Sequence, residues 1–294
     1  MTNLPELARA YFAGLPHTHT VLSNHPGHHE SDLSVDRLVE RLVEARLAGS
    51  PHAPLQYIML NEHPSDPMKP RRLGPLSLRG RQLLHQRRRL VVQHVPMLYG
   101  LEVSLLPQGR TDLTPRLADH CAVVIASRHA LPPELEREPA AITQMFEQAC
   151  LHQGIDVLGH PPRYIEDSPT VDWARIFAAA AASGTAVEVN LNSYPGANGS
   201  AMQHTFWKRW LRLLARSQAD VFLGLDIHNT YQVDEFILQW RSLERPATHA
   251  ENHLARFLNG LVEARIKPER VITADYDRLL TWLQMDKSER ARLN

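Results

Sequence analysis

The sequence predicts an α/β fold, a closed or distorted barrel of parallel strands joined by helices. Two observations carry that expectation. Short apolar runs alternate with amphipathic stretches along the chain, the pattern of repeated strand–helix units. Hydrophobic periodicity counts about six or seven such units. An open doubly wound sheet is the structural alternative. The 294 residues suit one domain spanning 1–294.

The elements follow in order. Val35, Leu38, Leu42 and Ala45 recur at helical spacing between a capping Ser34 and a terminating Gly49. Tyr57 to Leu60 reads as a buried strand. Leu76 to Val92 reads as a strongly basic helix. Leu98 to Val103 and Ala122 to Ala126 are strands. A helix over Ile142 to His152 precedes the strand Asp156 to Leu158, and an Ala-rich helix over Asp172 to Ser183 stops at Gly184. Ala186 to Leu191 is a strand, Gln203 to Arg216 a helix, and Val221 to Leu225 a strand. The chain continues with a helix over Glu251 to Arg265, a short strand over Arg270 to Thr273, and a helix over Tyr276 to Leu283.

Composition excludes several classes. Lys plus Arg equals Asp plus Glu, at 32 each, so the whole chain is not a generic nucleic-acid binder. No run of eighteen apolar residues exists, and no membrane span is expected. The N-terminus shows no basic region followed by an apolar stretch, so no secretory signal is expected. Two cysteines, Cys121 and Cys150, make neither a disulfide framework nor a four-thiolate zinc site. They read as buried thiols in a reducing cytoplasm.

The 17 histidines are decided by placement. His17, His19 and His25 follow Gly14-Leu15-Pro16. Asn61-Glu62-His63 follows the run Tyr57 to Leu60. Glu102 sits inside Tyr99 to Val103. Ser127-Arg128-His129 follows Val123 to Ala126, His160-Pro161 follows Val157 to Gly159, and Asp226 and His228 follow Leu223 to Leu225. In a β/α barrel the carboxyl ends of the strands open onto one face. Imidazoles and carboxylates converging there suit zinc, manganese or iron. Singly, His17-Thr18-His19 is close to chance, and His129 or His160 alone would serve as an ordinary structural histidine. Glu102 in an apolar strand is harder to dismiss, because a buried carboxylate needs a cation or a donor.

These residues resemble the polymerase and histidinol phosphatase (PHP) superfamily. Its motifs stand here in order as HTHTVLSNH (His17 to His25), NEH (Asn61 to His63), YGLE (Tyr99 to Glu102), SRH (Ser127 to His129), LGHP (Leu158 to Pro161) and LDIH (Leu225 to His228). Histidine at position 25 matches the trinuclear, small-phosphatase-like members. The resemblance implies a distorted (β/α)7 barrel holding two or three divalent ions (Zn, Mn or Fe). It implies one ion on His17, His19, Glu102 and Asp226. A second would be bridged by Glu102 and held by His129 and His160. A third would sit on His25, His63 and His228. Glu62 stands where aspartate is usual and is expected as an outer partner of the site.

Three divalent ions less two carboxylates leave a site near about +4, which hydroxide and phosphate would balance. A metal-bound hydroxide would attack phosphorus, with no protein nucleophile. Glycine patterns for a nucleophilic serine or a phosphate loop are absent. Arg128, Arg163, Asn190 and His28 are the candidate substrate contacts, each set against an ordinary structural role. The expected activity is hydrolysis of a phosphomonoester of a small metabolite. The alternative is a phosphodiesterase or exonuclease, with the basic stretch Lys69 to Arg89 holding nucleic acid rather than forming a solvated helix face. A metal-binding accessory protein without turnover, and an amidohydrolase, are the remaining options.

Overall fold

The computed structural model describes residues 3–24, 29, 31–50, 52–64, 90–118, 121–129, 138–163, 171–245 and 251–293. Helix α1 (Leu4–Tyr11) leads into strand β1 (Gly14–Thr18), and α2 (Val35–Glu44) connects it to β2 (Tyr57–Glu62). Ser34 caps α2 by accepting from Arg37 N. The strands β3 (Leu90–Val92) and β4 (Val95–Ser104) follow, then a one-turn helix at Pro115–Ala118 and β5 (Val124–Ser127). From there strands and helices alternate: α3 (Pro139–Leu151), β6 (Val157–Gly159), α4 (Trp173–Ser183), β7 (Ala186–Asn190), α5 (Ala201–Arg216) and β8 (Val221–Gly224). Four helices close the chain: α6 (Thr230–Ser242), α7 (His253–Ala264), α8 (Tyr276–Gln284) and α9 (Lys287–Leu293).

Seven strands pair in parallel in the order β1-β2-β4-β5-β6-β7-β8. The ring closes just beyond the strand ends, where His19 N donates to Ile227 O at 2.7 Å and Leu225 N to Pro16 O at 3.1 Å. This is the expected distorted seven-stranded barrel. The open-sheet alternative fails because β1 and β8 meet.

Alternation along each strand sorts side chains into two cores. Ile58, Leu60, Leu101, Val103, Val124, Leu158, Val187 and Leu223 pack against the helices. Tyr57, Met59, Leu98, Ile125, Val157 and Phe222 fill the barrel interior, stopped below by Ile272, Leu279 and Trp282. Gly14 lets Tyr57 inside, since a Cβ there would lie 2.3 Å from the ring.

Two sequence expectations are corrected. Leu90 to Val92 is the end of no helix. It is an antiparallel strand on β4, joined through Gln93 and His94, both at positive φ. That two-residue primed turn normally announces itself with Asn-Gly, and Gln-His hides it. Lys69 to Arg89 lies outside the described residues. Arg270 to Thr273 is not a strand but parts of two single 3₁₀ turns, with only Val271 bridging to Val221. Beside this bridge the Arg270 guanidinium donates to the carbonyls of Leu214, Ala215 and Ala219. Cys150 is buried and Cys121 half-buried. No helix among the described residues is long and apolar enough to cross a membrane.

Candidate metal centre

The carboxyl ends of the parallel strands bring eight of the nine expected ligand residues together: His17, His19, His63, Glu102, His129, His160, Asp226 and His228. The ninth, His25, lies outside the described residues. Glu102 is the hub. Its Oε2 is 3.3 Å from His17 Nε2, 3.1 Å from His19 Nε2 and 3.3 Å from His63 Nε2. Its Oε1 is 2.8 Å from His160 Nε2 and 3.3 Å from His129 Nε2. Asp226 Oδ1 lies 3.4 Å from His19 Nε2 and 3.7 Å from His17 Nε2. Zinc takes N and O ligands at 2.0–2.2 Å in a tetrahedron, which puts two donors of one ion roughly 3.3–3.6 Å apart. Most of the separations here are of that size.

The chain aims these rings deliberately. His63 Nδ1 meets Glu102 O, His228 Nδ1 meets Asp226 O, and His129 Nδ1 faces Ser104 Oγ. His19 Nδ1 faces Ser23 Oγ, and His17 Nδ1 meets Glu188 Oε1 at 2.6 Å. With Nδ1 held from behind, Nε2 is the atom offered to the centre. Four buried atoms there have no hydrogen-bond partner: His17 Nε2, His19 Nε2, His160 Nδ1 and Asp226 Oδ1. Orphaned buried polar atoms of this kind fit a cation. Backbone strain marks the same place. His17, His160 and Asp226 adopt φ of 57°, 26° and 54°, a region costing about 1–3 kcal/mol each outside glycine.

Electrostatics agree with mutual support. Burial alone would raise Glu102, but His17, His129 and His63 hold it well below the carboxylate range. Burial alone would raise Asp226 too, and His228 with His19 and His17 hold it well below. Burial would lower His17 and His19. The carboxylates Glu188 and Glu102 lift His17 well above its ordinary value, and Asp226 and Glu102 lift His19 to about 10.

No protein-family model matches the chain. A probable phosphatase of Syntrophotalea carbinolica is 26% identical over 198 residues, covering 65% of this chain and 70% of that protein. A probable phosphatase of Caldanaerobacter subterraneus subsp. tengcongensis is 27% identical over 183 residues, 60% of this chain and 62% of that protein. The histidinol phosphate phosphatase of Lactococcus lactis subsp. lactis, a crystal structure complexed with zinc, L-histidinol and phosphate, superposes with a TM-score of 0.52. It is 18% identical, covering 86% of this chain and 94% of that one. The chain shares the barrel fold of that phosphatase.

Ligand atoms lie within 4.8 Å of one another in three sets among the described residues: His17, Glu102, His160 and Asp226; His63, Glu102 and His129; and His19, His63 and His228. The motifs alone place His19 with His17, and His160 with His129. Glu102 reaches all of these rings with its two oxygens, so neighbouring groups share members.

The other expected contacts fall variously. Glu62 is buried and accepts from Thr20 N, Thr20 Oγ1 and Ser23 Oγ. Ser23 in turn faces His19 Nδ1, so Glu62 stands one bond behind a ring of the cluster. Burial raises the Glu62 carboxyl despite His19 and those donors. Arg163 is a third exposed and pairs with Asp226 Oδ2 at 2.5 Å, while Arg128 is buried and donates to Arg163 O. Asn190 is not at the mouth. It is fully buried, donating to Glu188 Oε1 and accepting from Ser193 N, which leaves no surface for a substrate. Asn192, a turn residue, donates to Asp226 O. His28 lies outside the described residues.

Glu188 is the residue that sequence reasoning missed. Its signal was the one that exposed Glu102, a carboxylate inside an apolar strand, here Ala186-Val187-Glu188-Val189. It lies inside the strand, two residues before its end at Asn190, and attention to the residues that follow strand ends passes over it.

Proposed function

We propose that this PHP-like phosphatase is a metal-dependent phosphomonoesterase acting on a small phosphorylated metabolite. In this reading two or three divalent ions (Zn, Mn or Fe) sit on His17, His19, His63, Glu102, His129, His160, Asp226 and His228, with His25 completing the set. The observation that carries it is Glu102. Five imidazole Nε2 atoms stand within 3.3 Å of its two oxygens, divided three to one oxygen and two to the other. That division suits a carboxylate shared between ions. When bound, the ions supply a water deprotonated near neutral pH and positive charge beside the phosphoryl group.

The chain supplies the rest. Carbonyl, hydroxyl and carboxylate acceptors fix the ring tautomers, and burial keeps bulk water from competing for the donors. Arg163 is the cation placed to meet an anion at the mouth, since its guanidinium already reaches the cluster at Asp226. Two parallel N–H groups would bind phosphate oxygens bidentately. The monoester reading is supported by the relatives described as phosphatases and by the fold shared with a histidinol phosphate phosphatase.

The test is phosphate release from a panel of small phosphomonoesters by manganese-reconstituted protein, beside His17→Ala. Release that disappears in the variant is the expected result. A protein that binds manganese yet releases phosphate from no monoester refutes the monoester reading, and diesters and oligonucleotides become the substrates to assay.

A further inference from the structure

Glu188 is wholly buried on β7, three strands along the sheet from β4, which bears Glu102, and three donors converge on its carboxylate. His17 Nδ1 lies 2.6 Å from Oε1, Asn190 Nδ2 lies 3.0 Å from Oε1, and the backbone N–H of His160 lies 2.5 Å from Oε2. The first and third come from strand ends far apart in sequence, β1 and β6, and both residues carry left-handed backbone. The barrel also makes room for this group. A Cβ on Gly224 would fall 1.6 Å from Glu188 Oε1. The carboxylate, the strained His17 and His160 backbones, and the side-chain-free position on β8 thus form one unit.

From this arrangement we infer that Glu188 is a positioning residue of the metal centre. It fixes His17 with its proton on Nδ1, leaving Nε2 as the ligand atom, and it ties His160 in place through the backbone. The inference rests on the metal-site reading given above. Its physical logic is donor counting. A carboxylate offers acceptor oxygens in both directions, and an amide of the same shape offers one. In Glu188→Gln the amide NH2 must face either His17 Nδ1 or the His160 N–H, donor against donor. Facing His17, the NH2 would leave the ring free to carry its proton on Nε2, which removes it from the ligand set; facing His160, it would break the backbone tie that holds that ring in place. Loss of such an outer partner typically weakens metal binding about 10–100-fold.

The experiment measures zinc content and affinity by equilibrium dialysis at a series of free zinc concentrations for the full-length wild type, Glu188→Gln and Asn190→Ala. Circular dichroism checks folding. In parallel, histidine-selective ¹⁵N spectra of the zinc-loaded proteins report each ring tautomer, with the His17 signals assigned by His17→Gln. A merely structural residue would leave those signals unmoved. The expected result is a folded Glu188→Gln with one zinc site weakened about 10–100-fold, the other sites retained, and the His17 nitrogens shifted. Asn190→Ala, which removes the third donor to Glu188 together with the acceptor of Ser193 N, should weaken the same site by several-fold. Unchanged affinity and unchanged His17 signals in Glu188→Gln overturn the inference while leaving the metal centre standing. If Glu188→Gln does not fold, Asn190→Ala decides, and an unchanged zinc affinity there overturns it. A wild type that binds no zinc overturns the metal-site reading itself, and this inference with it.

Discussion

Loading the metal-free protein with zinc at pH 8 should expel protons. Without a cation, the carboxylates and imidazoles of the cluster favour one another's charged forms. Asp226 and Glu102 lift His19 to about 10 against the effect of burial, and Glu188 and Glu102 lift His17 well above its ordinary value. His19 is therefore imidazolium at pH 8 and has no lone pair on Nε2 to give to a metal, and His17 is shifted in the same direction. Coordination by His19 releases about one proton, so the affinity should rise at least about tenfold per pH unit in this range. That is roughly 1.4 kcal/mol of binding free energy per unit. The same groups set the stability of the metal-free protein. The raised histidines contribute fully below about pH 6.5, and that contribution is lost as pH rises through their raised values. The depressed Glu102 and Asp226 contribute above about pH 4, and lose it only as pH falls through their lowered values. Metal protection should thus grow as the protons' own contribution fades. Isothermal calorimetry in buffers of different ionisation enthalpy counts the protons directly. An apparent enthalpy independent of buffer, with an affinity flat between pH 7 and 8, would refute the reasoning.

Three further outcomes follow from the geometry. Glu102→Gln removes the charge shared by five rings, so metal content and turnover should both fall by more than the roughly 10–100-fold typical of an outer partner; metal analysis beside the phosphate-release assay checks it. Gly159→Ala places a Cβ 1.9 Å from Ser127 Oγ and 2.6 Å from Ile125 Cγ2, and should cost about 1–3 kcal/mol, read as a Tm lower by several degrees. Lys287 is buried by α9, donating to Cys150 O and His152 O, and burial lowers it from 10.5 to about 8. Its charged form is penalised in the fold, so wild-type stability should rise between pH 8 and 10.5 relative to Lys287→Met, by on the order of 3 kcal/mol over the full range. A stability difference independent of pH would show that Lys287 carries no such penalty.

The barrel was legible because each unit states itself locally. Tyr57 to Leu60 is apolar throughout as a strand buried on both faces must be, and Ser34 and Gly184 punctuate their helices as caps. The ligand residues were legible for a topological reason: parallel strands all deliver their ends to one face. What escaped depends on contacts that only the fold creates. Thr230 to Ser242 is a helix whose start is fixed by Gln232 reaching back to the His228 and Asn229 N–H groups, a capping box hidden by the preceding motif. The helices α1 and α9 are short, and α9 is anchored by Arg290 on Asp156 and over the Trp282 ring, contacts that no periodicity announces. Asn190 read as a substrate contact, and only the closed barrel shows it turned onto Glu188.

The barrel's seam lies at the cluster itself. His19 N on Ile227 O joins the first strand to the last, and His17 and Asp226, more than two hundred residues apart in sequence, meet only when that seam is made. Contacts of such separation form late, because the loop between them must close before they return any energy. An ion that needs both residues therefore has nowhere to bind on a half-folded chain. Its capture would act as a latch on the last step of folding, holding shut the one joint in the ring that backbone pairing secures least.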